Sequence, residues 1–467
     1  MLLCDVKSTR LLEKKLISIG HTEISLMMKA GNSIFKNFKD NKNNDIIVIA
    51  GTGNNGGDAF ACAIQAHLNN FNIQCISLGI NKGHAKKVKD LAELLNISII
   101  NQLPKKQNIK NGTIIIDGIL GIGISRKPEG KILNAINWIN SFNNKKIKVI
   151  SIDVPSGLNS NNGTSIGKVV KANTTVMCLT QKQGCYTGDG LKYSGKIIFD
   201  SLGIENTEKL IKKKASLINS DQYIPLLRNK NSYKGTYGNL LILGGFDGMQ
   251  GAANLCGLAS LRTGVGKVFL CNNKNIKKVD EIITIPKRLE DIKKILPKLN
   301  TIIVGPGLGK NASDILRFIW NTNKSMVIDA DALDWVSKNF KKKRKATTIY
   351  TPHYGEAKNL LKKDFTDRFS AIKELQNKYG GKWVLKGPGT LILNKNYYIN
   401  DFANSILSTG GTGDILAGII GGLLCQKITK AEIKGVLIHT KCAKKILEKK
   451  QKTIIASDLL KQISSII

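Results

Sequence analysis

The chain is short of acid and shorter still of arginine. Against 71 Lys and Arg stand 34 Asp and Glu, a formal charge of +37 over 467 residues, yet only eight of the basic residues are arginine. Arginine makes the bidentate contacts to phosphates and base edges, so an excess built from lysine does not describe a nucleic-acid face. It accompanies abundant Asn and Ile along the whole chain and reads as a solvated surface. The densest run, Lys341–Lys345, marks an exposed connection. Also absent is any apolar run of the roughly 18 to 20 residues that spans a bilayer. The longest, Ile415–Cys425, is broken by glycines and reads as a buried helix, so no membrane partner is expected. The opening MLLCDVKSTRLLEKK lacks the ordered blocks of a secretory signal, and the expectation is a cytoplasmic protein. Nine cysteines form no CxxC pair and no His/Cys cluster at zinc spacing, which leaves neither a disulfide framework nor a structural zinc; reduced, buried thiols are expected.

What is present fits two cores. A chain of 467 residues with 42% hydrophobic content exceeds one typical domain. Short β-branched runs alternate with helical stretches: strands at Ile46–Ala50, Ile73–Leu78, Thr113–Ile116, Lys148–Ile152 and Thr175–Leu179, with helices at Gly57–Asn69 and Ala85–Asn96 between them. This alternation predicts an α/β fold, a mostly parallel sheet covered by helices on both faces. The polar stretch Gly203–Ser220 interrupts it and is the expected boundary. A second series follows at Asn239–Leu243, Lys267–Cys271, Thr301–Val304, Met326–Ile328, Thr347–Tyr350 and Trp383–Leu385, closing with a helix-rich tail. The halves share no motif, which predicts a fusion of unlike domains.

Three loops carry the chemistry of the first half. In GTGNNGGD, Gly51 and Gly53 permit a tight turn, and Asn54, Asn55 and Asp58 place polar groups at a helix mouth suited to a phosphate or ribose. In DGILGIGISRK, Asp117 ends a strand, Gly121 and Gly123 open the loop, and Arg126 and Lys127 are placed to meet phosphates. In DVPSGLN, Asp153 and Ser156 close another strand. All three converge on the carboxyl edge of the sheet, where open α/β folds bind ligands.

The second half carries a phosphoryl-transfer pattern. In GGTGD, Gly410, Gly411 and Gly413 offer backbone amides at a helix start, an anion hole, and Asp414 is placed to take a proton from an attacking hydroxyl. LKGPGT at Leu385–Thr390 adds a glycine turn with Lys386 to neutralise phosphate charge.

These segments resemble a known family. NNGGD, DGILGIG and DVPSGLN are similar to the amino-terminal domain of the bifunctional NAD(P)H-hydrate repair enzymes, across roughly residues 1–205. KGTYGNLLILGG, GAANLCGLASLRTGVG, VGPGLG, DADAL, TPHYGE and GGTGDILAG are similar to the carbohydrate-kinase-related dehydratase domain of the same enzymes, across residues 216–467. The resemblance implies a Rossmann-like three-layer domain followed by a ribokinase-like α/β domain. It implies epimerisation of hydrated NADH and NADPH (NADHX and NADPHX) by the first. The second would dehydrate the S form with ADP, releasing AMP and phosphate.

Site residues follow by the same implication. Asn54, Asn55, Gly56, Gly57, Asp58, Gly121, Ile122, Gly123, Ile124, Ser125, Arg126, Lys127 and Asp153 would contact the epimerase substrate, with Asp153 catalytic. Asn55, Asp117 and Ser156 would hold potassium. Ala252, Gly307, His353 and Asp414 would contact the dehydratase substrate, with Asp414 the catalytic base. Lys386, Gly387, Pro388, Gly389, Thr390 and Gly413 would bind the nucleotide, ADP with magnesium. Where the family reads LMENAG, this chain reads LMMKAG at Leu26–Gly31, so Met28 replaces a carboxylate and Lys29 a neutral residue. A homo-oligomer is compatible with this reading. Two rivals stay open: a small-alcohol or vitamin-precursor kinase in the second half, and a binding or scaffold module in the first.

Overall fold

The computed structural model describes residues 2–142, 146–205, 207–211, 214–225, 228–246, 248–272, 279–309, 312–451 and 453–467. They form two compact units, Met1–Ser216 and Leu217–Ile467.

In the first unit the elements run β1 (Leu2–Cys4), α1 (Val6–Ser18), α2 (Glu23–Phe35), β2 (Ile46–Ala50), α3 (Asn54–His67), β3 (Ile73–Ser77), α4 (Gly83–Leu94), β4 (Ser98–Ile100), β5 (Ile114–Gly118) and α5 (Gly130–Asn140). They continue as β6 (Lys148–Ile152), β7 (Thr174–Cys178), β8 (Gln181–Lys182), α6 (Gly190–Tyr193), β9 (Lys196–Asp200), α7 (Thr207–Leu210) and β10 (Ala215–Ile218). Seven strands make one parallel sheet in the order β4-β3-β2-β5-β6-β7-β9. Its centre is buried on both faces, which is why β2 reads IIVIA without a polar residue. Alternate side chains of β2 feed separate cores. Ile46, Val48 and Ala50 join Met27, Ile34, Phe60 and Ile64 on the side of α2 and α3, while Ile47 and Ile49 join Trp138, Ile139 and Phe142 on the side of α5. These are the three layers.

The stretch expected as the boundary also holds a strand. β10 lies inside Gly203–Ser220 and pairs antiparallel with β1, Leu3 opposite Ala215. Three and four residues are too few for the alternation that signals a strand; residues 206 and 212–213 of that stretch lie outside the described residues.

The second unit runs β11 (Asn239–Leu243), α8 (Gln250–Arg262), β12 (Lys267–Asn272), β13 (Ile283–Pro286), α9 (Leu289–Ile295), β14 (Thr301–Val304), α10 (Ser313–Trp320), β15 (Ser325–Ile328) and α11 (Asp331–Asn339). It continues with β16 (Thr348–Tyr350), α12 (Tyr354–Leu361), α13 (Arg368–Tyr379), β17 (Lys382–Leu385), β18 (Leu391–Leu393), β19 (Tyr397–Asn400), α14 (Thr412–Cys425), α15 (Ala431–Glu448) and α16 (Ala456–Ile463). The sheet order β13-β12-β11-β14-β15-β16-β17 is parallel throughout, and β18 and β19 extend it antiparallel. The glycine-broken apolar run is the buried body of α14, as its composition requires. Lys341, Lys342, Lys343 and Lys345 are exposed, whereas Arg344 in the same run turns inward to the carbonyls of Ile319, Trp320, Thr322 and Lys324 at the end of α10. All nine cysteines are free and buried. Among the described residues no helix is long and apolar enough to cross a membrane.

Candidate functional site

Each unit carries its own site, at the place where its strand order reverses. In the first unit the reversal falls between β2 and β5, and in the second between β11 and β14. Loops leaving neighbouring strands in opposite directions open a crevice there.

In the first unit, the chain leaves β2 through Gly51 and enters α3 at Asn54, with Gly53 as N-cap in extended conformation. The helix therefore starts before Gly57, where the apolar periodicity begins, and Asn54 to Asp58 form its first turns. Close approach explains the glycines. A Cβ at Gly56 would lie 2.0 Å from the carbonyl oxygen of Gly51, and one at Gly51 would lie 1.9 Å from that of Ile119. Gly53 has no such neighbour. The β2 and β5 loops are thus pressed together by missing side chains.

Asn55 and Ser156 converge on the backbone of Leu120, and Asp117 holds Ser156 from behind. Asn55 Nδ2 donates to the Leu120 carbonyl at 3.0 Å, and the Leu120 N–H donates to Ser156 Oγ at 2.8 Å. Asp117, fully buried at the end of β5, accepts from Ser156 Oγ at 2.5 Å, from the Ser156 N–H at 3.0 Å and from Ser151 Oγ at 2.7 Å. Burial raises its pKa, and these neutral donors offset the shift in part. The chemistry of the cluster, a buried carboxylate with amide and hydroxyl oxygens and no ammonium hydrogen-bonded to it among the described residues, suits a monovalent cation.

Asp153 follows β6 in a left-handed conformation, φ +66°. Its Oδ1 accepts the Cys178 N–H at 3.1 Å and forms an ion pair with Lys182, a residue of β8 that the sequence reading did not single out. Asp58 faces the same region. Its pKa is raised well above the ordinary carboxylate range, first by burial and then by Asp153 and Glu13, with Lys182 opposing. Glu13, on α1, is raised by burial first. Nor did the sequence single out α1, although Arg10 places a guanidinium nitrogen 3.2 Å from where a Cβ of Gly123 would stand. Along the rest of the predicted loop, Ile122 accepts from Ser160 Oγ at 3.2 Å; Gly121, Ile122 and Ile124 are half-buried, and Ser125, Arg126 and Lys127 are exposed. Met28 packs on the α2–α3 core, while Lys29 is exposed.

In the second unit, the β11 and β14 loops are joined by hydrogen bonds from Gly245 N–H to Pro306 (2.9 Å) and from Phe246 N–H to Gly307 (2.7 Å). Gly307 has φ +60°, and a Cβ there would meet the Met249 carbonyl at 2.5 Å, so Gly307 lies against the start of α8, which carries Ala252. The next strands bring the charged groups. Asp329 after β15 is 2% exposed and accepts from Lys386 Nζ after β17 at 2.8 Å and from Thr351 Oγ1 after β16 at 2.8 Å. Glu356 stands 3.7 Å from the same ammonium. Burial alone would lower the Lys386 pKa, but Asp329 and Glu356 outweigh it and the shift is upward.

Asp414 lies in the first turn of α14, whose N-cap Gly411 has φ +89°. Burial, then Asp329, raises its pKa to about 6, with Lys386 opposing. A Cβ on Gly413 would be 3.4 Å from Lys386 Nζ, which puts the lysine over the helix N-terminus. His439, neutral because burial lowers its pKa to about 4, donates from Nε2 to the Thr412 carbonyl at 3.0 Å and steadies that turn. The predicted nucleotide loop, Lys386 to Thr390, is braced by Arg368, which donates to the carbonyls of Leu385 (2.9 Å), Lys386 (3.4 Å), Pro388 (2.5 Å) and Gly389 (3.0 Å). Thr390 Oγ1 closes the turn on the Gly387 carbonyl at 3.1 Å. His353 is the N-cap of α12: its Nδ1 accepts from the Glu356 N–H at 3.3 Å, and its side chain is 59% exposed. Asp329, Glu356 and Arg368 are the charged groups here that sequence reasoning missed. The DADAL and TPHYGE segments were the signal for the first two, and nothing in the sequence around Arg368 pointed to the nucleotide loop.

A family model described as NAD(P)H-hydrate dehydratase matches residues 240–465, and one described as YjeF-related protein N-terminus matches residues 23–184. The chain is 34% identical to the bifunctional NAD(P)H-hydrate repair enzyme Nnr of Coxiella burnetii over 97% of this chain and 96% of that one. It is 30% identical to the enzyme of the same name from Escherichia coli over 90% of this chain and 85% of that one. Among solved structures, a ribokinase-like superfamily protein from Enterococcus faecalis aligns with TM-score 0.50 and 24% identity, covering 54% of this chain and 94% of that one, which bears on the fold. Near-full-length similarity, both family models and the two sheet-edge sites agree: the chain belongs to the bifunctional NAD(P)H-hydrate repair enzymes.

Proposed function

We infer that this chain repairs hydrated NADH and NADPH, with residues 1–205 epimerising NADHX and NADPHX and residues 216–467 dehydrating the S form at the expense of ADP. The observation that carries the reading is that each unit holds a separate site at its own sheet edge, one offering carboxylates and the other an ammonium over a helix N-terminus. A carboxylate site suits a cationic ring intermediate, and an ammonium at a helix start suits a phosphoryl group.

In the epimerase, the ring nitrogen's lone pair forms a C=N bond as the C–O bond breaks with its electrons going to oxygen. The departing hydroxide takes a proton and leaves as water, and water adds to the other face with loss of that proton. Asp58, its pKa raised by burial well above the ordinary carboxylate range, fits the proton donor, and Asp153 the charge that steadies the cation. The Asn54–Asp58 and Gly121–Lys127 loops would hold the nucleotide body. Asn55, Asp117 and Ser156 would hold potassium, which supplies charge to Asp117 and fixes the loop through Leu120.

In the dehydratase, Asp414 takes the proton of the ring hydroxyl as its oxygen attacks the terminal phosphoryl of ADP and AMP leaves. Phosphate then departs with its bonding electrons, the ring nitrogen forms C=N, and loss of a proton from the adjacent carbon gives the dihydropyridine. Lys386, Gly413 and the 386–390 loop bind phosphates; Ala252, Gly307 and His353 line the substrate side. Magnesium on the nucleotide would draw most ligands from phosphates, with Glu356 the carboxylate at hand, and would neutralise transferring charge. Nine free thiols fit a reducing compartment, the cytoplasm.

The test is absorbance recovery at the NADH band with purified protein, mixed-epimer NADHX, magnesium, potassium and ADP. Full recovery with one phosphate released per NADH is expected. Recovery that stops once the S form is consumed removes the epimerase assignment, and a stable phosphorylated product without NADH removes the dehydratase.

A further inference from the structure

The chemistry above leaves one buried cation unused. Lys182 is 1% exposed, and its ammonium is ion-paired with Asp153 and donates to the Cys178 carbonyl at 2.7 Å. β1 covers it from outside, pairing in parallel with β8 so that Cys4 stands opposite Lys182. Lysine is seldom buried to this degree without a specific partner. The partner is held in an uncommon backbone conformation, φ +66° at Asp153, and its N–H donates to the Val176 carbonyl at 2.8 Å. Both side-chain bonds to Asp153 fall on Oδ1, which leaves Oδ2 without a hydrogen bond among the described residues on a side chain 16% exposed.

The charge count around the pair is lopsided. Glu13 and Arg10 face it from α1, Asp58 from α3 and the Cys178 thiol from β7, so three carboxylates share one buried ammonium. Of the three, only Asp153 touches that ammonium. We propose that Lys182 is a positioning residue for epimerisation: it fixes Asp153 through Oδ1, so that Oδ2 is presented to the ring cation. Lys182 takes no part in the proton transfer, because the proton that leaves with water and returns passes through Asp58. This rests on the epimerase reading of the first unit.

The experiment uses the full chain, NADHX enriched in the R epimer, and chromatographic resolution of R and S without ADP. Dehydration of S-NADHX with ADP, at the second unit's site, controls for the amount of folded protein. Lys182→Met is expected to lower epimerisation kcat by roughly a hundredfold with KM nearly unchanged, and Lys182→Arg to recover about tenfold of that. Adding Lys182→Met to Asp153→Asn should cost nothing further, because the lysine acts through that carboxylate. A purely structural lysine predicts additive losses, and that result overturns the proposal. If Lys182→Met does not fold, the same cycle with Lys182→Arg decides between these outcomes. A wild-type chain that never interconverts R and S removes the underlying epimerase reading, whereas wild-type activity with an unaltered kcat in Lys182→Met overturns this proposal alone.

Discussion

The two sites share a device and invert it. Each pairs a lysine with an aspartate after a parallel strand, but in the first unit the lysine is the buried member, 1% exposed against 16% for Asp153. In the second the aspartate is buried, 2% exposed for Asp329 against 18% for Lys386. Whichever partner is interred fixes the sign of the charge left facing the crevice. A carboxylate remains at one site and an ammonium at the other, as the proposed cationic ring and phosphate require. Fold alone does not choose between these chemistries, since both crevices lie at a strand-order reversal.

The sharpest break of this comparison is Asp414→Ala. Loss of the base should cut dehydration of S-NADHX by about 10²- to 10⁴-fold while R to S interconversion continues at the wild-type rate. Continued nucleotide-dependent dehydration would remove Asp414 as base. Lys386→Met comes next: KM for ADP should rise roughly ten- to hundredfold, the worth of a charge-assisted contact, with epimerisation untouched. An unchanged KM would mean that the ammonium serves Asp329 and not the phosphate.

The sites should also part company in their pH response. A base with pKa about 6 is competent only when ionised, so dehydration should fall about tenfold per pH unit below that value. Asp58 must stay protonated to donate, so epimerisation should fall as pH rises through its elevated pKa. Parallel profiles for both reactions would defeat these assignments. Ser156→Ala, which strips a donor from Asp117 and an acceptor from the Leu120 N–H, should slow epimerisation about tenfold and abolish its dependence on potassium over sodium. Retained potassium dependence would place the ion elsewhere. Smallest of all is Lys29→Asn. Its exposed side chain predicts less than about 0.5 kcal/mol in stability and under about twofold in epimerisation. A large gain would show that the LMMKAG departure reaches the site.

Sequence and structure agree best where the signal is dense. β2 and the Ile114–Ile116 run of β5 were legible because strand residues buried on both faces are aliphatic, and the β2 and β5 loops because close backbone approach demands glycine. Lys182 was not legible, since one lysine among 71 basic residues gives no hint of burial; only the turn at Asp153 brings it into view. Arg10 and Glu13 were hidden because the sequence reading placed no element over α1, on which they stand. Asp329 was visible as part of DADAL, but its partner lies 57 positions away at Lys386, a separation no local pattern records.

The buried cysteines turn this chain into its own unfolding reporter. Five of them, Cys4, Cys62, Cys75, Cys178 and Cys185, sit in the first unit, and four, Cys256, Cys271, Cys425 and Cys442, in the second. Burial pushes the Cys4 thiol up to about 11 and those of Cys75, Cys271 and Cys442 to about 12, so near neutral pH neither thiolate nor access is offered to an alkylating reagent. Modification must then wait for local or global opening. Mass mapping of labelled peptides against time would clock the two halves independently, with no engineered probe, and would show which catalytic half of the fusion yields first.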